Sequence, residues 1–338
     1  MSPDPSFDFY YVRCAKINFS KRLAEKVPLI SVLMPVRDGR DFVAEAVQSI
    51  FLQTCADFEL LIVDDGSQDD TLDILADLAG NDQRLRVFRQ DRRGLVPALN
   101  LGLSAARAPF VARMDADDVA HPTRLALQAE ALNMASDVAV VGSACRIIGP
   151  DGSTRRTVRP PTGADAVHAE LLRRNCIVHP TVMMRRQAVM ACGGYRSAFL
   201  LAEDFDLWLR LRERHKLINL DVVLLHYREH PGQTTWRYLE QRILSEMGAL
   251  AGADCRMTGR DDCGNGAAPV DHAQLLAMGW TSHTIRNGLL GRALGAAKDA
   301  LAAGNREAAR EAVELAMRQN PAPRTRVHLN LLMLRSRF

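Results

Sequence analysis

Between residues 29 and 114 short apolar, β-branched runs alternate with stretches whose apolar residues recur at helical spacing, and this rhythm restricts the fold more than any other feature of the chain. The runs at 29–36, 58–63, 85–88 and 110–114 predict buried strands. Between them, 42–52 brings Val43, Ala46, Val47, Ile50 and Phe51 to one helical face, 69–78 opens on Asp69 and Asp70, and 94–106 opens on Gly94; each predicts a helix. Strands joined by crossover helices run parallel, so the expected class is α/β, with a mostly parallel central sheet and helices on both faces. After 138 the rhythm changes. The segment 138–159, with Pro150, Asp151 and Gly152 inside it, predicts strands joined by a turn, hence antiparallel additions to the core. Helices are expected at 164–174, at 187–192 and from near Glu203 to 214, strands at 179–184 and 217–225, and a polar, turn-rich segment at 227–235.

Open α/β sheets bind ligands beyond the carboxyl ends of their strands, and here that edge is acidic. The first strand ends near Asp38, the second at Asp64 and Asp65, the fourth at Asp115, Asp117 and Asp118. Neither the dinucleotide fingerprint G-x-G-x-x-G nor the phosphate loop G-x-x-x-x-G-K-[ST] is present, so a bound phosphate would need a metal bridge. In an extended chain Asp115 and Asp117 point to the same side about 6 to 7 Å apart and can share one cation. Oxygen ligands favour Mn2+ or Mg2+ over zinc. The same stretch also reads as a helix entry, with Asp117 or Asp118 capping a helix that begins at His121 and Pro122. Likewise Asp64, Asp65, Gly66 and Ser67 read as a turn without any ligand.

The 338 residues, 47% hydrophobic and 25% charged, suffice for one large domain with an appendage. A net charge of +3, with no aromatic-interleaved basic stretch, argues against nucleic acid as a partner. Seven scattered cysteines without a C-x-x-C pair read as reduced thiols of a cytoplasmic protein. No secretory signal and no 18-residue uncharged apolar run is found, so no membrane span is expected. The expected divisions are an N-terminal extension at 1–27, a domain at 28–235 and a helical C-terminal region at 236–338 with a Gly- and Asp-rich loop at about 259–269. Within that region 286–303 and 306–319, around Gly304 and Asn305, resemble one tetratricopeptide-like hairpin. Residues 316–338 carry Arg318, Arg324, Arg326, Arg335 and Arg337, no acid, and Leu329, Leu331, Leu332 and Leu334. Such a tail fits peripheral contact with an anionic membrane, and equally a solvated helix packed on its own domain.

Read as an ordered set, Pro35-Val36, Val63 to Ser67, Arg113 to Asp118, His179-Pro180, Gly193 to Tyr195, Glu203 to Trp208 and Tyr227-Arg228-x-His230 resemble the family 2 glycosyltransferases. The resemblance covers about 29–235 and implies the GT-A fold, a nucleotide-sugar donor (UDP-linked by expectation), Mn2+ or Mg2+, and inverting transfer to a hydroxyl of a glycan or lipid-linked acceptor in envelope polysaccharide synthesis. Carried over by position, Asp64 and Asp65, with Pro35, match the donor-binding positions. Asp115 and Asp117 match the D-x-D motif, with Asp117 the direct metal ligand and Asp115 nearer the ribose and metal. Asp204 matches the general base, with Glu203 beside it to orient the acceptor. Acids there also suit a helix N-terminus. His230 matches a third metal ligand, with His226 as its rival, and His179 and Trp208 fall on the acceptor side, where a structural role is the alternative for each. The arginines Arg84, Arg86, Arg89, Arg92 and Arg93 read as a solvated face rather than a phosphate site. Two other readings compete. A sugar-nucleotidyltransferase would carry a Gly-rich, basic signature after the first strand, which 34–39 lacks; a non-catalytic binding module would show losses at the metal or base positions, and none is seen. A processive synthase is disfavoured by the lack of spans, leaving a cytoplasmic enzyme or one peripheral at the inner face of the plasma membrane.

Overall fold

The structure, a computed structural model, describes residues 27–230, 238–262, 264, 266 and 268–336. The expected N-terminal extension and most of the turn-rich segment at 227–235 lie outside the described residues. Two compact units are formed. The first takes the chain up to His168, then 176–194 and 215–229; the second takes 169–175, 195–214 and the chain from His230 onward.

The first unit is built on one sheet. Its strands β1 (Ile30–Val36) and β2 (Phe58–Asp64) are buried at every position, as continuous apolar runs in a sheet covered on both faces must be. With β3 (Leu85–Arg89) and β4 (Phe110–Arg113) they form a parallel block ordered β3-β2-β1-β4, joined by α1 (Val43–Phe51), α2 (Thr71–Asn81) and α3 (Leu95–Ala105). Register brings Val36 beside Asp64 and Leu33 beside Arg113, so the carboxyl ends of β1, β2 and β4 open on one edge. Pro35 sits in the central strand, where a missing N–H is normally costly. It shares the side of Leu33, whose carbonyl accepts from Met114 N at 3.0 Å, the point at which β4 has already ended; no ladder bond is lost there.

The later strands extend the sheet through β8 (Met183–Arg185), β6 (Val138–Ile148), β9 (Lys216–Arg228) and β5 (Val119–Ala120), with β7 (Thr154–Val158) also on β6. All of these pair antiparallel except β6 with β9. Two expectations change. Only Met183–Arg185 of the 179–184 stretch is strand, because His179–Thr181 forms a 3-10 turn around Pro180, whose ring fixes φ and removes a ladder donor. Conversely β9 is a single strand that takes in Tyr227 and Arg228, which pair with Ile147 and Ile148, rather than leaving them in a turn. The remaining helices here are α4 (Arg124–Met134), α5 (Ala164–Leu171), which runs into the second unit, and α6 (Arg186–Ala191).

The second unit is helical: α7 (Glu203–Leu211), α8 (Leu239–Met257), α9 (His272–Ala277), α10 (Ser282–Ala302), α11 (Arg306–Arg318) and α12 (Pro323–Arg335). Asp271 and Gln274 close a capping box on α9, and Thr281 and Asn305 cap α10 and α11. Gly304, at φ +75, turns the chain between α10 and α11, giving the expected hairpin. The Gly- and Asp-rich loop is less open than expected. Asp262 accepts from Arg196 Nη1 and Nη2 at 3.0 Å and from Arg256, which leaves its side chain 5% exposed. No helix among the described residues is long and apolar enough to cross a membrane.

Candidate active site

The acidic edge of the parallel block holds two groups of carboxylates with different surroundings. Asp64, the last residue of β2, is wholly buried; its oxygens accept from Ser67 N at 3.2 and 3.3 Å and face Arg89 Nε at 3.5 Å. Asp65 Oδ1 accepts from Gln90 Nε2 at 2.7 Å, Arg93 N at 2.7 Å and Gly94 N at 3.0 Å, fastening the loop between β3 and α3. Gly66, at φ +73, makes the turn between them and the next residues; a Cβ there would lie 3.0 Å from Arg92 N. Of the five neighbouring arginines, Arg84 pairs with Asp82 and stacks over Phe58, Arg86 pairs with Glu59, and Arg89 with Asp64, so three have structural partners.

At the end of β4 the buried strand stops at Arg113, and the chain turns at Ala116 and Asp117. Asp115 and Asp117 therefore do not meet by extended i, i+2 spacing. The turn, in which Asp118 N reaches Asp115 O at 3.5 Å, folds a third acid in as well: one oxygen each of Asp115, Asp117 and Asp118 lies within 4.8 Å of the others. Neither Asp117 nor Asp118 caps the following helix, whose N-cap is Thr123. Asp118 is fully buried; Oδ1 accepts from Arg228 N at 2.9 Å, while Oδ2 has no hydrogen-bond partner among the described residues. Burial first, then the charges of Asp117 and Asp115, hold the Asp118 carboxyl well above the usual range. The Asp115 carboxyl is raised too, by burial and by Asp117, although Arg113 Nη2 at 2.6 Å pulls the other way. Behind the turn lies Arg124, whose Nη2 donates to Arg113 O at 2.6 Å and whose own pKa falls to about 10 through burial. Three clustered carboxylates, one with an orphaned buried oxygen, form an oxygen-only donor set suited to a hard divalent cation.

Arg228 secures this turn. Its Nε donates to Asp117 O at 2.8 Å, Nη1 to Pro150 O at 3.1 Å and Nη2 to Glu45 Oε2 at 2.6 Å, with the guanidinium over Phe42. His179, buried beside this strand end, is held well below its usual pKa by burial and by the charge of Arg113, and so is neutral. His226 stands opposite Val119 on β9, its pKa lowered by burial and by Arg146; no histidine joins the carboxylate cluster among the described residues. His230 belongs to the second unit.

Glu203, Asp204 and Asp206 occupy the first turn of α7, where the macrodipole favours acids. Glu203 is buried and Asp204 half-buried. Asp204 Oδ2 accepts from Asn175 Nδ2 at 2.8 Å, and Oδ1 from Phe205 N at 2.7 Å. Trp208 is wholly buried, which makes its indole part of the core rather than a platform for a sugar. The arrangement adds Asp118, Arg228 and Asn175 to the residues singled out from the sequence. Asp118 adjoins the D-x-D pair and Arg228 lies inside the Tyr227-to-His230 motif, so both were in view; Asn175 has no local signature.

Residues 31–193 match the family model for glycosyl transferase family 2, a span that contains both acidic groups of the sheet edge but ends before α7. The O-antigen biosynthesis glycosyltransferase WbnJ of Escherichia coli is 32% identical over 216 residues, 61% of this chain and 82% of that protein. Among solved structures, TarS 1–349 of S. aureus in complex with UDP is similar with a TM-score of 0.55 and 18% identity, over 91% of this chain and 87% of that one. The mannosyltransferase PcManGT of Pyrobaculum calidifontis, in complex with GDP-Man and Mn2+, is similar with a TM-score of 0.52 and 18% identity, over 92% and 86% of the two chains. These likenesses, at such low identity, bear on the fold, which is the GT-A fold of glycosyltransferases. With a relative at 32% identity covered over 82% of its length, and the family model lying on the strands that carry the carboxylates, the chain belongs to glycosyl transferase family 2 and is a glycosyltransferase.

Proposed function

We propose that this enzyme moves a sugar from a nucleotide-sugar donor to a hydroxyl of a glycan or lipid-linked acceptor with inversion, using a divalent cation held by Asp115, Asp117 and Asp118. The observation that carries the reading is the carboxylate triad with its orphaned Asp118 oxygen. When bound, the Mn2+ or Mg2+ supplies positive charge against the departing diphosphate. Asp64 and Asp65 lie at the neighbouring strand end and, with Pro35, are the proposed donor-side residues; the UDP bound by TarS supports a uridine nucleotide, the GDP-Man of PcManGT the alternative. His179, neutral and therefore able to donate or accept, is proposed on the acceptor side. Asp204 is the proposed base. A carboxylate is a weak base toward an alcohol, so it takes the proton only as the C–O bond forms and the hydroxyl turns acidic. Glu203 beside it is proposed to orient the acceptor, and His230 to serve the cation. On this reading 28–235 is the catalytic domain and 236–338 a helical appendage.

The appendage supports a cytoplasmic enzyme peripheral to the membrane. On α12, Val327, Leu331 and Leu334, spaced i, i+4, i+7, are 61%, 53% and 50% exposed, with Arg324 and Arg335 beside them. Leu331→Asp is expected to lower co-sedimentation with phosphatidylglycerol vesicles; equal retention of both proteins removes the membrane from the proposal.

Calorimetric titration with UDP, GDP and their sugar conjugates, in Mn2+ or Mg2+ and then in EDTA, tests the main reading. Metal-dependent binding of one nucleotide is expected. Absence of binding by folded protein would favour a non-catalytic module and leave the carboxylates as turn residues.

A further inference from the structure

Two acids two residues apart on the first turn of α7 are held in different ways. Asp206 is wholly buried and gripped by charge: Arg196 Nε donates at 3.0 Å, a second Arg196 nitrogen pairs with Oδ1, and Arg210 Nη2 donates at 2.8 Å. Arg196 in turn binds Asp262, so Asp206 belongs to an ion network that ties α7 to the loop after α8. A carboxylate so occupied by guanidiniums serves structure, with its oxygens taken up by charge-assisted hydrogen bonds. Asp204 is half-buried, and a neutral amide donates to it, Asn175 Nδ2 to Oδ2 at 2.8 Å. Together with Phe205 N on Oδ1, this fixes both oxygens and hence the plane of the carboxyl.

We infer that Asn175 is a positioning residue that aims the Asp204 carboxylate at the acceptor hydroxyl. The inference rests on the reading of Asp204 as base and deepens it. A base that works only as the new bond forms depends on its orientation more than on its strength. An amide donor supplies orientation without itself adding a full positive charge beside the group that must receive a proton. Asn175 comes from the segment just after α5, which belongs with α7 to the second unit, so donor and acceptor of this hydrogen bond sit on one body.

The test uses Asn175→Ala and the isosteric Asn175→Asp, with Asp204→Asn alongside. Turnover is read as nucleoside diphosphate released from UDP- and GDP-sugars in saturating Mn2+, with aryl glycosides or water as acceptor. Asn175→Ala is expected to lower kcat roughly tenfold to a hundredfold, the effect of one hydrogen bond to a charged group, with donor KM and thermal midpoint unchanged. Asn175→Asp, which keeps the shape but sets a like charge against Asp204, is expected to lower kcat at least as much. Wild-type kcat in both variants, with Asp204→Asn inactive, overturns the role of Asn175 alone. An active Asp204→Asn overturns the reading of Asp204 as base. Independently of turnover, crystal structures of the wild type and Asn175→Ala are expected to show the Asp204 carboxyl turned in the variant; an unmoved carboxyl overturns the proposal.

Discussion

Arg228, at the end of β9, donates its backbone N–H to Asp118 Oδ1 at 2.9 Å across 110 residues of sequence, and its Nε to Asp117 O at 2.8 Å. The turn that gathers the carboxylates is therefore fastened from the far end of the sheet. Removing the guanidinium, itself 3% exposed, takes away the donors that hold the carbonyls of half-buried Asp117 and exposed Pro150. Arg228→Met is expected to cost about 2–4 kcal/mol in urea unfolding and to weaken Mn2+ binding. Glu45, its ionic partner, is 58% exposed, and Glu45→Gln should cost under about 1 kcal/mol.

Asp118 is the most confined member of the triad. Its raised pKa means that the folded protein without metal holds the carboxyl proton more tightly than the unfolded chain does. Ionisation then costs stability, and the penalty appears as pH rises above the unfolded value of about 3.9. Asp118→Asn keeps an acceptor for Arg228 N and removes the charge. In EDTA at pH 7 its melting temperature is expected to equal or exceed the wild type, while calorimetry shows at least tenfold weaker Mn2+ binding; unchanged Mn2+ affinity would remove Asp118 from the site.

Asp117→Ala is expected to abolish the difference in nucleotide affinity between Mn2+ and EDTA. Equal affinity in both conditions for the wild type as well would count against the cation site itself.

Asp204→Asn should bind donor and Mn2+ within about twofold of the wild type and lose turnover by two orders of magnitude or more. Retained turnover would take the base role from Asp204.

Glu59 offers a pH test away from the chemistry. Its side chain is 2% exposed, and burial by itself would raise its pKa, but hydrogen bonds from Ser31 Oγ, Arg107 N and Arg86 Nη1, with the charge of Arg107, lower it on balance. A depressed carboxyl stabilises the fold above its unfolded pKa, and that contribution fades as pH falls through the folded value. Because Arg86 and Arg107 are 27% and 41% exposed, Glu59→Gln is expected to cost about 1–3 kcal/mol at pH 7. The gap between variant and wild type should close in urea melts carried below about pH 4; a constant gap would mean that charge plays no part.

Local pattern was enough for the parallel block and its acidic edge. Apolar runs such as 58–63 have no alternative to burial, and helical spacing such as that of Val43, Ala46, Val47 and Ile50 marks the face that covers them. Where long-range pairing overrides local preference, pattern fell short. Tyr227 and Arg228 look like turn residues but are strand because β6 is long enough to pair with them, and His179–Thr181 leave the strand because Pro180 cannot donate. The loop around Asp262 looks exposed by composition, yet Arg196 and Arg256 draw it in.

For the site the division is similar. The order of residues along the chain determined which acids stand at strand ends and helix starts, because periodicity and end signals are properties of neighbours in sequence. Tertiary structure alone decided which of them meet and what state each is in. It turned Asp115, Asp117 and Asp118 into one cluster, set Arg228 behind them, and gave Asp204 an amide and Asp206 two guanidiniums although the two acids are two residues apart on the same turn. The physical reason is that charge, burial and hydrogen-bond supply at a carboxylate come from whatever packs against it, and the sequence separation of those partners runs from 4 residues, for Asp206 and Arg210, to 110, for Asp118 and Arg228.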